Sequence, residues 1–118
     1  MAKNPREILN DLSGGLEALG KADSQRLQAF RTFSQAVKKP GALDLKTKEL
    51  IGLAIGLYTH CEYCIVHHTN GAFKAGATRE ELIETAFVAC SMGGGPTLAY
   101  SATLLQDAIN TFAPDYGK

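Results

Sequence analysis

The sequence has little of what marks several large classes of protein. It carries no net charge, since twelve Lys and Arg balance twelve Asp and Glu. No basic field therefore gathers on phosphates or an anionic bilayer, and neither nucleic acid nor a membrane is expected as a partner. Long hydrophobic runs are also lacking: the longest, Leu50 to Tyr58, is about half of what a bilayer crossing needs. The opening Met-Ala-Lys-Asn-Pro-Arg-Glu has no apolar leader segment, so a cytoplasmic protein is expected. Only four prolines and 45% hydrophobic residues argue against a disordered chain. Nowhere do apolar and polar residues alternate with the period of a half-buried strand. Three cysteines are few and odd in number, which excludes the stapled framework of a small secreted domain.

What remains is a chain of 118 residues, enough for a single domain over 1–118, with helical punctuation throughout. Asn4-Pro5-Arg6-Glu7 starts a helix whose apolar face is Ile8, Leu9, Leu12, Leu16 and Leu19, with a bend or fraying predicted at Gly14-Gly15. A second helix from near Asp23 is predicted to turn Leu27, Phe30, Phe33 and Val37 inward and to stop at Lys38-Lys39-Pro40-Gly41. The third, Lys46 to about His60, is apolar nearly all round, which suits the centre of a bundle or a subunit interface. Gly76 ends a fourth helix, Glu62 to Lys74, and Thr78-Arg79-Glu80-Glu81 is a capping box that opens a fifth, to about Met92. Gly93-Gly94-Gly95-Pro96 reads as a hinge before a last helix that ends at Phe112. The fold class is all-α, with about six helices packed largely antiparallel as a helical bundle.

Chemistry concentrates in His60-Cys61-Glu62-Tyr63-Cys64-Ile65-Val66-His67-His68, where the third helix ends and the fourth begins. A thiolate at a helix start is favoured by free N–H groups and the positive end of the dipole. Cys61, Cys64 and His68 fall on one helical stripe, with His68 one turn from Cys64. Such an imidazole can take the thiol proton, and the two sulfurs are close enough to pass through a mixed disulfide or sulfenic acid without any bound cofactor. Glu49 has two readings: an acid complementing the dipole near its helix start, or a carboxylate that orients His68 and passes protons.

Lys46-Thr47-Lys48-Glu49-Leu50-Ile51, eleven residues between Glu49 and Cys61, then Cys-x-x-Cys and His68 after three more, resemble the carboxymuconolactone decarboxylase and alkylhydroperoxidase D superfamily over about residues 26 to 110. That resemblance implies an all-helical trimer or hexamer that reduces peroxides or protein and lipoyl disulfides with an external thiol donor. It assigns Glu49, Cys61, Cys64 and His68 as proton relay and redox pair. One position departs from the pattern: members most like alkylhydroperoxidase D have a histidine just before the second cysteine, where this chain has Tyr63. Within this reading Cys64 attacks and Cys61 resolves.

Other readings of the same residues stand beside it. A lactone decarboxylase or related lyase would use His68 and Glu49 for acid–base work with the cysteines incidental, and a non-enzymatic helical module would carry no fast thiol. Structural zinc at Cys61, Cys64, His67 and His68 is disfavoured because all four lie within about two turns, whereas such sites usually join two separated ligand pairs. His60 and His67 read as dispensable surface residues, and Cys90 as a small core hydrophobe. Gly52 and Gly56, one turn apart, would permit close helix contact.

Overall fold

A computed structural model describes residues 4–118, so Met1 to Lys3, part of the opening segment read above for a leader, lie outside the described residues. Helix α1 (Pro5–Ala22) begins where expected: the Asn4 side chain accepts the Glu7 N–H at 2.9 Å, and Pro5 occupies the first turn. Contrary to expectation it stays helical through Gly14-Gly15. Both glycines face open space, so they weaken the helix through backbone freedom without interrupting it.

Helix α2 (Ser24–Lys38) departs most from the reading of its pattern. No residue of α2 is buried: Phe30 is 66% exposed, Phe33 64% and Val37 49%. Only Leu27 of the four is half-buried, close against Gly20 of α1. The stripe exists but points outward, because α2 lies along α1 at the side of the bundle. Its C-terminal end is pinned from α3 (Leu45–Tyr58), where Lys48 donates to the carbonyls of Val37 and Lys39 at 2.7 and 2.5 Å.

The centre belongs to α4 (Glu62–Lys74), which packs against α1, α3 and the C-terminal helix. Its Ile65, Val66, Ala72 and Phe73 join Leu53 and Leu57 of α3 in one core. Ile51, Ile55 and Tyr58, on the other side of α3, are exposed. Helix α3 therefore buries one face in the core and leaves the other exposed. Helix α5 (Arg79–Gly93) starts with the predicted capping box, Thr78 Oγ1 accepting from Glu81 N at 3.1 Å and Glu81 Oε1 from Thr78 N at 3.0 Å. It runs parallel to α3: Lys46 pairs with Glu81 at 2.9 Å at one end, and Tyr58 lies beside Gly93 at the other. No strand occurs among the described residues.

The last helical segment is less regular than expected. After α6 (Gly95–Tyr100) comes a π turn at Ser101–Leu105, then α7 (Gln106–Phe112) and a 3-10 turn at Ala113–Tyr116. A π turn inserts an extra residue and re-phases the side chains on either side of it.

Helices α3 and α4 end in the same way with different residues. In each, the residue past the cap is left-handed and two backbone bonds close the end: His60 N to Leu57 O at 3.4 Å and Cys61 N to Gly56 O at 2.9 Å, matched by Gly76 N to Phe73 O at 3.0 Å and Ala77 N to Ala72 O at 2.9 Å. Gly76 does this freely at φ 98°, whereas His60 at φ 58° bears a backbone cost of about 1–2 kcal/mol for its Cβ.

Gly14→Ala and Gly15→Ala should each stabilise the protein by about 1 kcal/mol, because a methyl there meets nothing and only backbone freedom is lost. Thermal unfolding checks this; lowered midpoints would mean that α1 is not a plain solvent-facing helix at these positions.

Candidate active site

The antiparallel α3–α4 hairpin builds the site through three glycines. A Cβ at Gly52 would lie 2.7 Å from the His68 ring, and one at Gly56 2.8 Å from Cys64 Cβ. On the facing helix, a Cβ at Gly71 would lie 2.5 Å from Glu49 Oε2. These missing side chains let the helices approach closely enough for Glu49 to reach His68. The carboxylate is 6% exposed, and its Oε2 lies 2.8 Å from His68 Nδ1. Glu49 is thus turned onto α4 and is not an exposed acid at the helix start.

Electrostatics at the pair has opposing parts. Burial pushes the Glu49 carboxyl up, but the His68 hydrogen bond and charge, with Lys38 and His67 farther out, outweigh it and hold the carboxyl below its usual value. His67 is half-buried, its ring edge-on to His68 at 5.0 Å. Burial, then repulsion from His68 and Lys38, lowers its pKa against the pull of Glu49. The expectation of a surface His67 is corrected: it is half-buried against the His68 ring.

Cys61 is the N-cap of α4, its Sγ accepting the Cys64 N–H at 3.1 Å, and the two cysteines are joined as a disulfide with Cα atoms 5.2 Å apart. Both are half-buried, and the wall of α3 that carries Gly52 and Gly56 touches His68 and Cys64 in successive turns. No hydrogen bond joins His68 to either sulfur among the described residues in this oxidised form. The four residues read from the sequence, Glu49, Cys61, Cys64 and His68, are brought to one hairpin: Cys61 and Cys64 at its closed end, His68 one turn further along α4, and Glu49 across the seam from His68. Among the described residues no group of three His, Cys, Asp or Glu is arranged to hold a metal ion.

Three further residues singled out in the sequence are placed as follows. Tyr63 is 48% exposed. His60 is exposed as expected, but it is left-handed and stacked on Tyr100, with centroids 5.4 Å apart and planes within 5°. Cys90 is not core: it is half-buried and lines a groove of about 360 Å³ with Ile83, Phe87, Leu98 and Ser101. The irregular last helix leaves that side of α5 uncovered. Gly71 and Lys38 were missed, because a glycine inside a helix and a lysine at a helix end have ordinary local meanings.

Fold and site together define an all-α protein with a Cys-x-x-Cys disulfide at a helix start beside a buried Glu–His pair. The sequence pattern of the carboxymuconolactone decarboxylase family matches residues 25–107, and the chain belongs to that family. An uncharacterised protein of Cupriavidus necator is 35% identical over 112 residues, covering 93% of this chain and 99% of its own. A crystal structure of a family member from Legionella pneumophila, in its apo form, superposes with a TM-score of 0.83 at 38% identity, covering 97% of each chain. Another, from Thermotoga maritima, described with a suggested involvement in the antioxidative response, gives 0.73 at 27% identity, covering 92% of this chain and 95% of that one.

Two outcomes follow from the site. Gly71→Ala should destabilise the fold by about 1–3 kcal/mol, since helix and carboxylate must separate, and should break the Glu49–His68 contact. Unfolding together with the His68 ring resonances in NMR reads both, and an unmoved His68 signal would contradict the packing argument. The second concerns acid. His67 and Glu49 both sit below their ordinary values of 6.5 and 4.5, so the unfolded chain binds more protons and stability is lost as pH falls. The His67 part is complete above 6.5 and is lost as pH falls from there through its lower folded value; the Glu49 part goes likewise below 4.5. Thermal midpoints between about pH 7.5 and 5 should fall in the wild type and fall less in His67→Phe. Equal slopes would place the acid loss elsewhere.

Proposed function

We propose that the protein is a thiol–disulfide oxidoreductase with alkylhydroperoxidase-type activity, using Cys61 and Cys64 as the redox pair and Glu49 and His68 as its proton relay. The observation that carries this reading is the paired Cys61–Cys64 at the start of α4, in the same hairpin as a buried Glu49–His68 contact. In the reduced form, Cys64 thiolate attacks the outer oxygen of a peroxide. The O–O bond breaks, sulfenic acid forms on Cys64, and the departing alkoxide takes a proton relayed by His68. Cys61 then attacks the sulfenic sulfur, an S–S bond forms and water leaves. Two thiol equivalents from a donor, or one dithiol, restore the pair and leave as a disulfide. The N-cap position of Cys61 favours a thiolate there as well, which supports the opposite order of attack. No resident cofactor enters this scheme.

A lyase reading has one observation in its favour, the intact Glu49–His68 pair, which can move protons without the cysteines. The family name itself refers to a decarboxylase. Assembly is part of the proposal. Phe30 and Phe33 on α2, Ile55 and Tyr58 on α3, and Phe87 and Met92 on α5 are all more than half exposed. Covering them removes apolar surface from water at about 25 cal/mol per Å², which favours a homotrimer or homohexamer. A cytoplasmic, reducing compartment fits a pair that must be re-reduced.

Cys61→Ser/Cys64→Ser should abolish peroxide and disulfide reduction while the fold and light-scattering mass stay unchanged. Retained reduction would overturn the redox reading, and retained lactone decarboxylation would support the lyase. Single serine variants trapped as mixed disulfides identify the attacking sulfur. Phe30→Glu/Phe33→Glu should lower the mass seen in light scattering if α2 lies at a subunit contact, and an unaltered mass removes α2 from it.

A further inference from the structure

We infer that His60 and Tyr100 form a positioning clamp that holds Cys61 at the start of α4, an inference that rests on the redox reading of the Cys61–Cys64 pair. The backbone at His60 explains why a left-handed residue is needed but not why it is a histidine. The end of α4 closes with the same bond pattern around Gly76, so glycine meets the backbone requirement in this fold. Among the described residues His60 is the one non-glycine with positive φ, and residues held this way cluster at working sites. What the imidazole adds is its near-parallel stack on Tyr100, with centroids 5.4 Å apart.

Tyr100 is a firm base for that stack. It is half-buried and packs against the core as the last residue of α6, immediately before the π turn at Ser101–Leu105. The extra residue of that turn lets Tyr100 face the α3–α4 connection while Ala108, Ile109 and Phe112 of α7 stay in the core. On the other side, His60 shares a peptide unit with Cys61. The Cys61 N–H is tied to Gly56 O at 2.9 Å, and its sulfur receives the Cys64 N–H at 3.1 Å. Fixing the His60 ring therefore fixes the chain that delivers the Cys61 sulfur to the helix terminus and to Cys64. This holds for either order of attack, because Cys61 must meet Cys64 in both.

His60→Gly relieves the backbone and removes the ring, Tyr100→Leu removes the stack but keeps an apolar contact, and His60→Phe keeps the stack without an imidazole. In the reduced full-length protein, alkylation located by peptide mass gives the rate and pH midpoint for Cys61, and quenched oxidation by glutathione disulfide gives the rate of ring closure onto Cys64. His60→Gly and Tyr100→Leu should slow both by about three-fold or more and raise the Cys61 midpoint, because the sulfur leaves the helix terminus for part of the time. His60→Phe should stay within about two-fold of the wild type. A merely structural role moves unfolding temperature and leaves the midpoint in place. The inference is overturned if His60→Gly stays within that two-fold range, or if His60→Phe loses as much as His60→Gly. Should Tyr100→Leu fail to fold, Tyr100→Phe is expected to retain wild-type rates, and a loss there counts against stacking. A wild-type pair that alkylates no faster than free cysteine overturns the redox reading and this inference together, whereas a fast wild type with indifferent variants overturns this inference alone.

Discussion

The close antiparallel approach of α3 and α4 is the constraint on which the rest of the site depends. Glu49 meets His68 across this seam only because Gly52, Gly56 and Gly71 leave no side chain between the helices. The seam buries the Glu49 carboxylate and supplies the imidazole that satisfies it. A buried carboxylate without a partner is costly, so the imidazole is as much a structural necessity for Glu49 as Glu49 is an orienting group for the imidazole. Fixing Nδ1 to the carboxylate leaves the other ring nitrogen as the one available for proton traffic.

Two kinds of helix terminus then complete the arrangement. The end of α3 turns the chain within three residues, and the start of α4 receives a sulfur as its cap. The turn is left-handed at His60, whose ring stacks on Tyr100, so the Cys61–Cys64 disulfide sits between the close seam and this connection. A π turn in the last helix supplies the tyrosine, and the same irregular helix leaves Cys90 in an open groove. The three cysteines therefore have three environments: helix cap, first turn, and groove wall.

Legibility in the sequence followed the range of the interactions. Asn4 and Thr78 cap through bonds three residues long, so their helix starts could be read almost to the residue. Gly76 likewise marked the end of α4. His60 performs the same backbone task without the glycine that would announce it. The exposed stripe of α2 shows the opposite limit: Phe30, Phe33 and Val37 recur with helical period whether they face a core, water or another subunit.

The sequence by itself determined the all-α class and most helix limits, because local capping and helical spacing are written in neighbouring side chains; Glu49, Cys61, Cys64 and His68 were singled out together by the resemblance to the family pattern. Tertiary structure alone decided which reading of Glu49 holds geometrically, that His67 is half-buried, that Cys90 is not core and that the apolar stripe of α2 faces outward. Each of these depends on what lies across a gap from a residue distant in the chain. A gap closed by one missing side chain, as at Gly71, leaves almost no trace in local pattern, whereas Gly52 and Gly56, one turn apart, could be read as a face open to close contact.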